Sequence, residues 1–251
     1  MANIDMETFS AWLKNKDSDR NVTSVASIDN EIHLTTAYTW DTNKNWALRP
    51  YFKQAIEDGV LKEEDSAYFQ VFTVPNMPAT IAFNCPRIAP NQDFDIFNPL
   101  DYSLSLMLGR SQIFRLAQFC KKYLKGFENA YISNISNMLG VRESRRIEGE
   151  VVFNAEDIFD EKYENCENIA CITDYPIDIH SNQKDDSTLK QIEKPYKLPL
   201  EALKNAQYKN LYVTGRCLSA DFASQASLRV IKNCFSMGEA VAKDIFNTKI
   251  L

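Results

Sequence analysis

The chain has 251 residues, 45% hydrophobic and 25% charged, with a formal net charge of −6. That is the composition of an ordinary folded domain or two small ones. It carries no basic block for nucleic acid and no apolar run long enough to span a bilayer. The first twenty residues lack the cationic-then-apolar order of a secretory leader. The six cysteines are dispersed with no CxxC, and the histidines are His33 and His180, so zinc-type ligand spacing is absent. Reduced thiols and a cytoplasmic location are expected.

In chain order, residues 5–16 predict a short amphipathic helix with Phe9, Trp12 and Leu13 on one face, and residues 17–30 read as loop. A strand follows at 33–38, then a helix over 48–58 ending at Gly59. Residues 68–74 and 80–84 form a predicted hairpin through Asn76 and Met77. A loop containing Pro86, Pro90 and Pro99 leads to the longest helix, about 100–124. Its expected buried face is Leu104, Met107, Leu108, Ile113, Leu116, Ala117, Cys120 and Leu124, with Gly109 weakening it locally. Short strands are expected around 130–135 and 149–153. A helix capped by Asn154 and Asp157 follows, then a strand at 169–173 and a polar excursion at 181–195.

A brief helix over 201–206 precedes the stretch from Asn210 to Asn247. There Leu211-Tyr212-Val213 predicts a buried strand, residues 214–227 a small-residue loop, and a helix runs from Leu228 or Arg229 to about Asn247. Its apolar positions include Val230, Ile231, Cys234, Phe235, Met237, Ala240, Val241, Ile245 and Phe246. A strand, a small-residue loop and a helix N-terminus together present backbone N–H donors to an electron-rich group. The same pattern also fits a strand–helix unit of any α/β domain.

Two further clusters carry chemistry. Arg142-Glu143-Ser144-Arg145-Arg146 places three guanidiniums in five residues of an acidic chain. In an extended chain Arg142, Ser144 and Arg146 share a face, with Glu143 and Arg145 opposite. Such a cluster either binds an anion or forms a structural ion-pair network. In Tyr175-Pro176-Ile177-Asp178-Ile179-His180 an imidazole stands two residues after a carboxylate. That spacing suits an acid/base pair, and equally a histidine held structurally at a strand end.

The seven glycines are at 59, 109, 126, 140, 149, 215 and 238. None lies within four residues of another, so neither a GxGxxG turn nor a P-loop is encoded.

Thr214-Gly215-Arg216-Cys217-Leu218-Ser219 with Ser227-Leu228-Arg229-Val230, LGVRESRRIEGEVVFNAEDI at 139–158, DYPIDIH at 174–180 and GFENAY at 126–131 stand in a shared order. Together they resemble the FAD-dependent oxidoreductases. Asn84-Cys85-Pro86-Arg87 resembles that family's N-x-x-R element, MANIDMETF resembles the start of its substrate domain, and Val151 replaces a common aromatic. The resemblance implies an α/β fold: a substrate or cap domain over 1–207 of α+β character, and the terminal strand–loop–helix of a Rossmann-like FAD domain over 208–251. It implies FAD as cofactor, held on the flavin side by Thr214, Gly215, Arg216, Ser219, Ser227, Leu228 and Arg229. Arg142, Arg146 and His180 would orient a small-molecule substrate and move a proton. The family's glycine turn belongs to an N-terminal half that this sequence does not contain, so FAD binding by the chain alone is expected to be weak or absent. The expected partners are that substrate and either a separate Rossmann-bearing chain or a second copy, with no nucleic acid and no membrane. The other accounts are a truncated gene product and a non-catalytic binding module.

Overall fold

The computed structural model describes residues 1–16, 23–28, 31–38, 46–88, 94–179 and 188–248. It is a mixed α/β protein of helices and antiparallel sheets. Two compact units share the chain, 1–139 with 182–187 and 140–181 with 188–251. This partition falls at 139/140, away from the 207/208 boundary drawn on sequence.

In the first unit, α1 (Met6–Lys16) buries Phe9 and Leu13, one turn apart on one face. Asp5 opens the helix, its carboxylate accepting from the Thr8 amide at 2.9 Å and the Thr8 hydroxyl at 2.6 Å. A four-stranded antiparallel sheet follows in the order β1 (Thr23–Ile28), β2 (Glu31–Tyr38), β3 (Phe69–Thr73), β4 (Ile81–Phe83). The expected β3–β4 hairpin is present, with Val71 opposite Phe83. Strand β1 replaces part of a predicted loop. It is an edge strand whose buried side chain is Thr23, so it lacks the apolar alternation that marks a half-buried strand. Thr23 donates to Thr36 Oγ1 at 2.8 Å, and Trp46 Nε1 donates to the same oxygen at 2.9 Å. Helix α2 (Arg49–Glu57) ends as predicted, with Gly59 at φ +72°. Phe52, Phe69, Phe119 and Trp46 make the aromatic centre, Phe52 and Phe119 lying 4.2 Å apart.

Helix α3 (Pro99–Tyr123) starts at Asn98, whose side chain accepts from the Leu100 amide, and runs unbroken through Gly109. It buries Ser105, Gly109, Gln112, Leu116, Phe119 and Cys120. The predicted contacts Leu104, Met107 and Leu108 are 56%, 63% and 52% exposed. The C-terminal half of α3 packs Leu116, Phe119 and Cys120 into the core and carries a bidentate ion pair: Arg115 Nε and Nη2 reach the Asp65 carboxylate at 2.6 and 2.7 Å, and Asp65 is buried. The predicted strand at 130–135 reduces to one bridge between Tyr131 and Ala2.

In the second unit, α4 (Ala155–Phe159) has the expected cap, Asp157 accepting from the Asn154 amide at 2.9 Å. Strand β5 (Ile169–Thr173) pairs with β8 (Tyr196–Pro199) and β6 (Ile177–Ile179) with β7 (Thr188–Lys190), both antiparallel. Strands β7 and β8 thus fall within and just after the predicted polar excursion. The predicted 149–153 strand consists of single bridges, Gly149 to Asn205 and Phe153 to Ala220. Leu211–Val213 likewise makes one bridge, Tyr212 to Lys204, and Leu211 is exposed rather than buried. The 201–206 helix is a 3₁₀ turn over Leu200–Leu203.

The predicted loop at 214–227 is largely helical. A 3₁₀ turn spans Gly215–Cys217, and α5 covers Phe222–Leu228. Asp221 caps α5, accepting from the Ser224 amide at 2.7 Å and its hydroxyl at 2.6 Å. Arg229 closes α5, and α6 (Ile231–Thr248) restarts two residues later. Helix α6 buries Asn233 and Met237, with Ala240 and Val241 partly buried, while Ile231, Phe235 and Phe246 are exposed. Among the described residues no helix is long and apolar enough to cross a membrane.

Candidate functional site

The second unit draws together sequence segments that lie far apart. Residues 147–153 run between the 200–206 segment and the 215–221 segment: the Ile147 amide donates to Cys217 O at 2.8 Å, Glu150 to Lys204 O at 3.0 Å and Phe153 to Ser219 O at 3.0 Å. This backbone frame fixes where Arg142–Arg146 emerge. Within it an alanine Cβ at Gly149 would lie 2.6 Å from the Ser219 Cβ, so the approach of the two chains requires glycine.

Helix α5 is the hub. Gln225, which is buried, donates through Nε2 to Arg142 O at 3.1 Å and to Arg216 O at 3.4 Å. The Arg216 guanidinium donates to Val141 O. One turn on from Gln225, Arg229 donates through Nη2 to Asp178 O at 3.1 Å. Ser227 Oγ donates to Tyr175 O at 2.5 Å and, its one proton so used, accepts from the Tyr196 hydroxyl at 2.7 Å. Asn233 of α6 closes the arrangement, donating to Ser227 O at 3.1 Å. The VRESRR, YPIDI and SLRV stretches and the GRC turn therefore meet around one short helix.

The predicted residues divide by accessibility. Thr214 and Arg216 are exposed, and Arg142 and Arg229 are half-buried. Gly215 is buried with φ +69°, a left-handed turn suited to glycine. Ser219, Ser227 and Leu228 are interior, and they hold the α5 frame through backbone bonds and packing. Among the described residues Ser219 Oγ and Asn233 Oδ1 are buried without a hydrogen-bond partner. Arg146 pairs with Glu143 at 2.9 Å, so these two share a side instead of facing apart as extended alternation predicts. The segment is not a strand, and side chains three positions apart reach each other. His180 lies outside the described residues. Sequence reasoning missed Gln225, Asn233 and Tyr175. Gln225 had a local signal: it is a long polar side chain in a run of small residues, one helical turn before Arg229.

Burial, and then the neighbouring Arg142 charge, push the Arg229 guanidinium below its ordinary range, against the opposing pull of Asp178, Tyr175 and Glu143. Burial raises the Tyr196 phenol despite its bond to Ser227. The Cys234 thiol, close to Gly215, is also raised by burial, with Arg216 opposing. Among the described residues no group of three His, Cys, Asp or Glu could hold a metal. A groove of about 430 Å³ elsewhere in this unit is lined by Asp157, Tyr163, Lys190, Lys194 and Lys197, and none of the arginines borders it.

Comparison with known proteins gives one match. No curated protein and no solved structure matches the chain. A family model described as FAD dependent oxidoreductase matches residues 5–243. Spanning nearly the whole chain and every motif gathered around α5, that match places the protein in the FAD-dependent oxidoreductase family.

Proposed function

We propose that this chain supplies the substrate domain and the flavin-side wall of an FAD-dependent oxidoreductase in the cytoplasm. The observation that carries the reading is the convergence on α5 of Arg142, Asp178, Arg216 and Arg229, drawn from motifs as much as 87 positions apart. The donor set fits the electron-rich edge of a flavin. Arg216 and Arg229 are cationic, and Gly215 lies in a left-handed turn where an added Cβ would meet only Cys234 Sγ, at 3.4 Å. FAD, when bound, would supply the hydride acceptor.

The chain's own residues would bind and orient. Thr214, Gly215 and Arg216 would contact the flavin side, with Ser219, Ser227 and Leu228 holding their backbone in place. Arg216 and Arg229 would offset negative charge on a reduced ring. Arg142, Arg146 and His180 would position substrate, His180 taking the proton.

Nothing in the 251 residues forms the glycine turn that seats a pyrophosphate. The exposed stripe Ile231, Phe235 and Phe246 on α6 is the kind of apolar face that further protein covers. The isolated chain is thus proposed to bind FAD weakly and to require a Rossmann-bearing chain or a second copy. Co-expression with a GxGxxG-bearing candidate, read by flavin absorbance of the purified complex, tests this. Flavin retained by the single chain overturns the weak-binding claim, and a stable complex without flavin overturns the site. A chain that pairs stably yet never takes flavin or turns over substrate is the non-catalytic module.

A further inference from the structure

Arg142 and Arg229 are both half-buried, and each is tied to a neutral group: the Arg142 backbone carbonyl to Gln225 and the Arg229 guanidinium to the Asp178 carbonyl. Gln225 and Arg229 stand one turn apart on α5, the Arg229 amide donating to Gln225 O at 3.1 Å. The Gln225 amide grips the Arg142 carbonyl at 3.1 Å, and the Arg229 guanidinium grips the Asp178 carbonyl at 3.1 Å. One helical turn therefore anchors the Arg142 main chain and carries Arg229, and the Arg142 charge acts on the Arg229 guanidinium.

Two like charges brought together away from bulk water repel, and a protein tolerates that arrangement where an anion completes it. The nearby carboxylates are engaged elsewhere or insufficient. Glu143 is taken by Arg146 at 2.9 Å, and Asp174 faces Lys232 at 3.4 Å. Asp178 draws on Arg229 without offsetting burial and the Arg142 charge. Among the described residues the Arg142 guanidinium has no ion-pair or hydrogen-bond partner. Helix α6 begins two residues after Arg229 with no acidic residue in its own first turn.

We infer that Arg142 and Arg229 form a two-arginine seat for a single oxyanion, a carboxylate or phosphate group carried by the substrate. Each planar guanidinium offers a fork of donors matched to such a group. The inference rests on the flavoenzyme reading for the word substrate, but the seat itself does not need flavin. It reassigns Arg229 from the cofactor to the boundary between cofactor and substrate. Gln225 is the positioning residue, because it sets Arg142 without touching the ligand.

The test is titration calorimetry on the full flavin-free chain, with succinate, inorganic phosphate and FAD as separate probes. Saturable binding of succinate or phosphate is expected with a dissociation constant on the order of 1 mM. The tighter of the two identifies the class of substrate group. Arg142→Gln should weaken it at least about tenfold, equivalent to about 1.4 kcal/mol. Its guanidinium makes no described bond, so that variant keeps its fold. Arg229→Gln should do the same, and Arg229→Lys should recover part of the affinity while losing the fork. Gln225→Leu should weaken binding with both arginines still present, and Lys209→Gln should leave it unchanged. No saturable binding of either small anion, or an Arg142→Gln constant within about twofold of wild type, overturns the seat. So does binding of FAD alone that the same variants abolish, since the arginines would then serve the cofactor. Because the succinate and phosphate titrations use no flavin, failure to reconstitute a flavoprotein with a partner bears on the proposed function and leaves their result standing.

Discussion

Substituting Gly149 by alanine tests the backbone frame that presents the arginines. The added Cβ would lie 2.6 Å from Ser219 Cβ, 3.0 Å from its Oγ and 3.1 Å from Val151 O, where ordinary contact begins at 3.4 Å. Ser219 has no room to retreat. It is buried, its amide donates to Ala202 O and its carbonyl accepts from Phe153, both at 3.0 Å. Overpacking of a held neighbour costs about 1–3 kcal/mol, and the two backbone bonds put this case toward the upper end. The described tryptophans, Trp12 and Trp46, lie in the first unit, so their fluorescence reports on that unit. Native-state amide exchange reads it: protection at Phe153 and Ser219 should fall by about 2–3 kcal/mol while the tryptophan unfolding midpoint stays put. A double-mutant cycle supplies the decisive control. Ser219→Gly removes the two closest atoms at an entropic cost of about 0.5–1 kcal/mol, so the double variant should recover at least about 1 kcal/mol of the Gly149→Ala loss. Additivity within about 0.5 kcal/mol would refute the steric account.

Other expectations follow from particular groups. Arg115→Ala strands the buried Asp65 carboxylate and should cost about 3 kcal/mol in tryptophan-detected urea unfolding, while a loss under about 1 kcal/mol would show that α3 is anchored otherwise. Hydrogen bonds from Tyr123, Gln54 and Lys122 hold Asp58 at about 2, below its ordinary 3.8. With the folded value depressed, its contribution is present above 3.8 and lost as pH falls through about 2. Carboxyl NMR titration should show that midpoint, and Tyr123→Phe should move it upward. A native midpoint at 3.8 would sink the assignment. Burial pushes the Cys85 and Cys171 thiols up to about 12 and about 11, so at pH 8 iodoacetamide should label the exposed Cys217 first. Equal labelling of Cys85 and Cys217 would contradict the packing.

Much of the fold was legible where local chemistry sets it. Asn98 and Pro99, Asn154 with Asp157, and Gly59 mark helix ends through bonds to their own neighbours, and the boundaries fell close to where those residues stand. The Asp221 cap was equally local, but the small residues after it read as loop. Strand β1 was illegible because an edge strand needs no apolar alternation. The face of α3 was read correctly at Leu116, Cys120 and Leu124 and wrongly in its first half, where Leu104, Met107 and Leu108 are exposed, and hydrophobic periodicity gave no sign of the Arg115–Asp65 ion pair.

The sequence by itself determined the family, through long motifs in order, and excluded a dinucleotide turn, because glycine spacing is a property of the chain alone. Only the tertiary structure decided which motif residues share a surface. Arg142 and Arg229 are 87 positions apart in sequence, and their segments converge because the side chains of one helical turn, Gln225 and Arg229, bind the carbonyls of two distant segments. It also decided that Ser227 and Leu228, which the motif placed toward the flavin, are interior, because orientation depends on what α5 packs against.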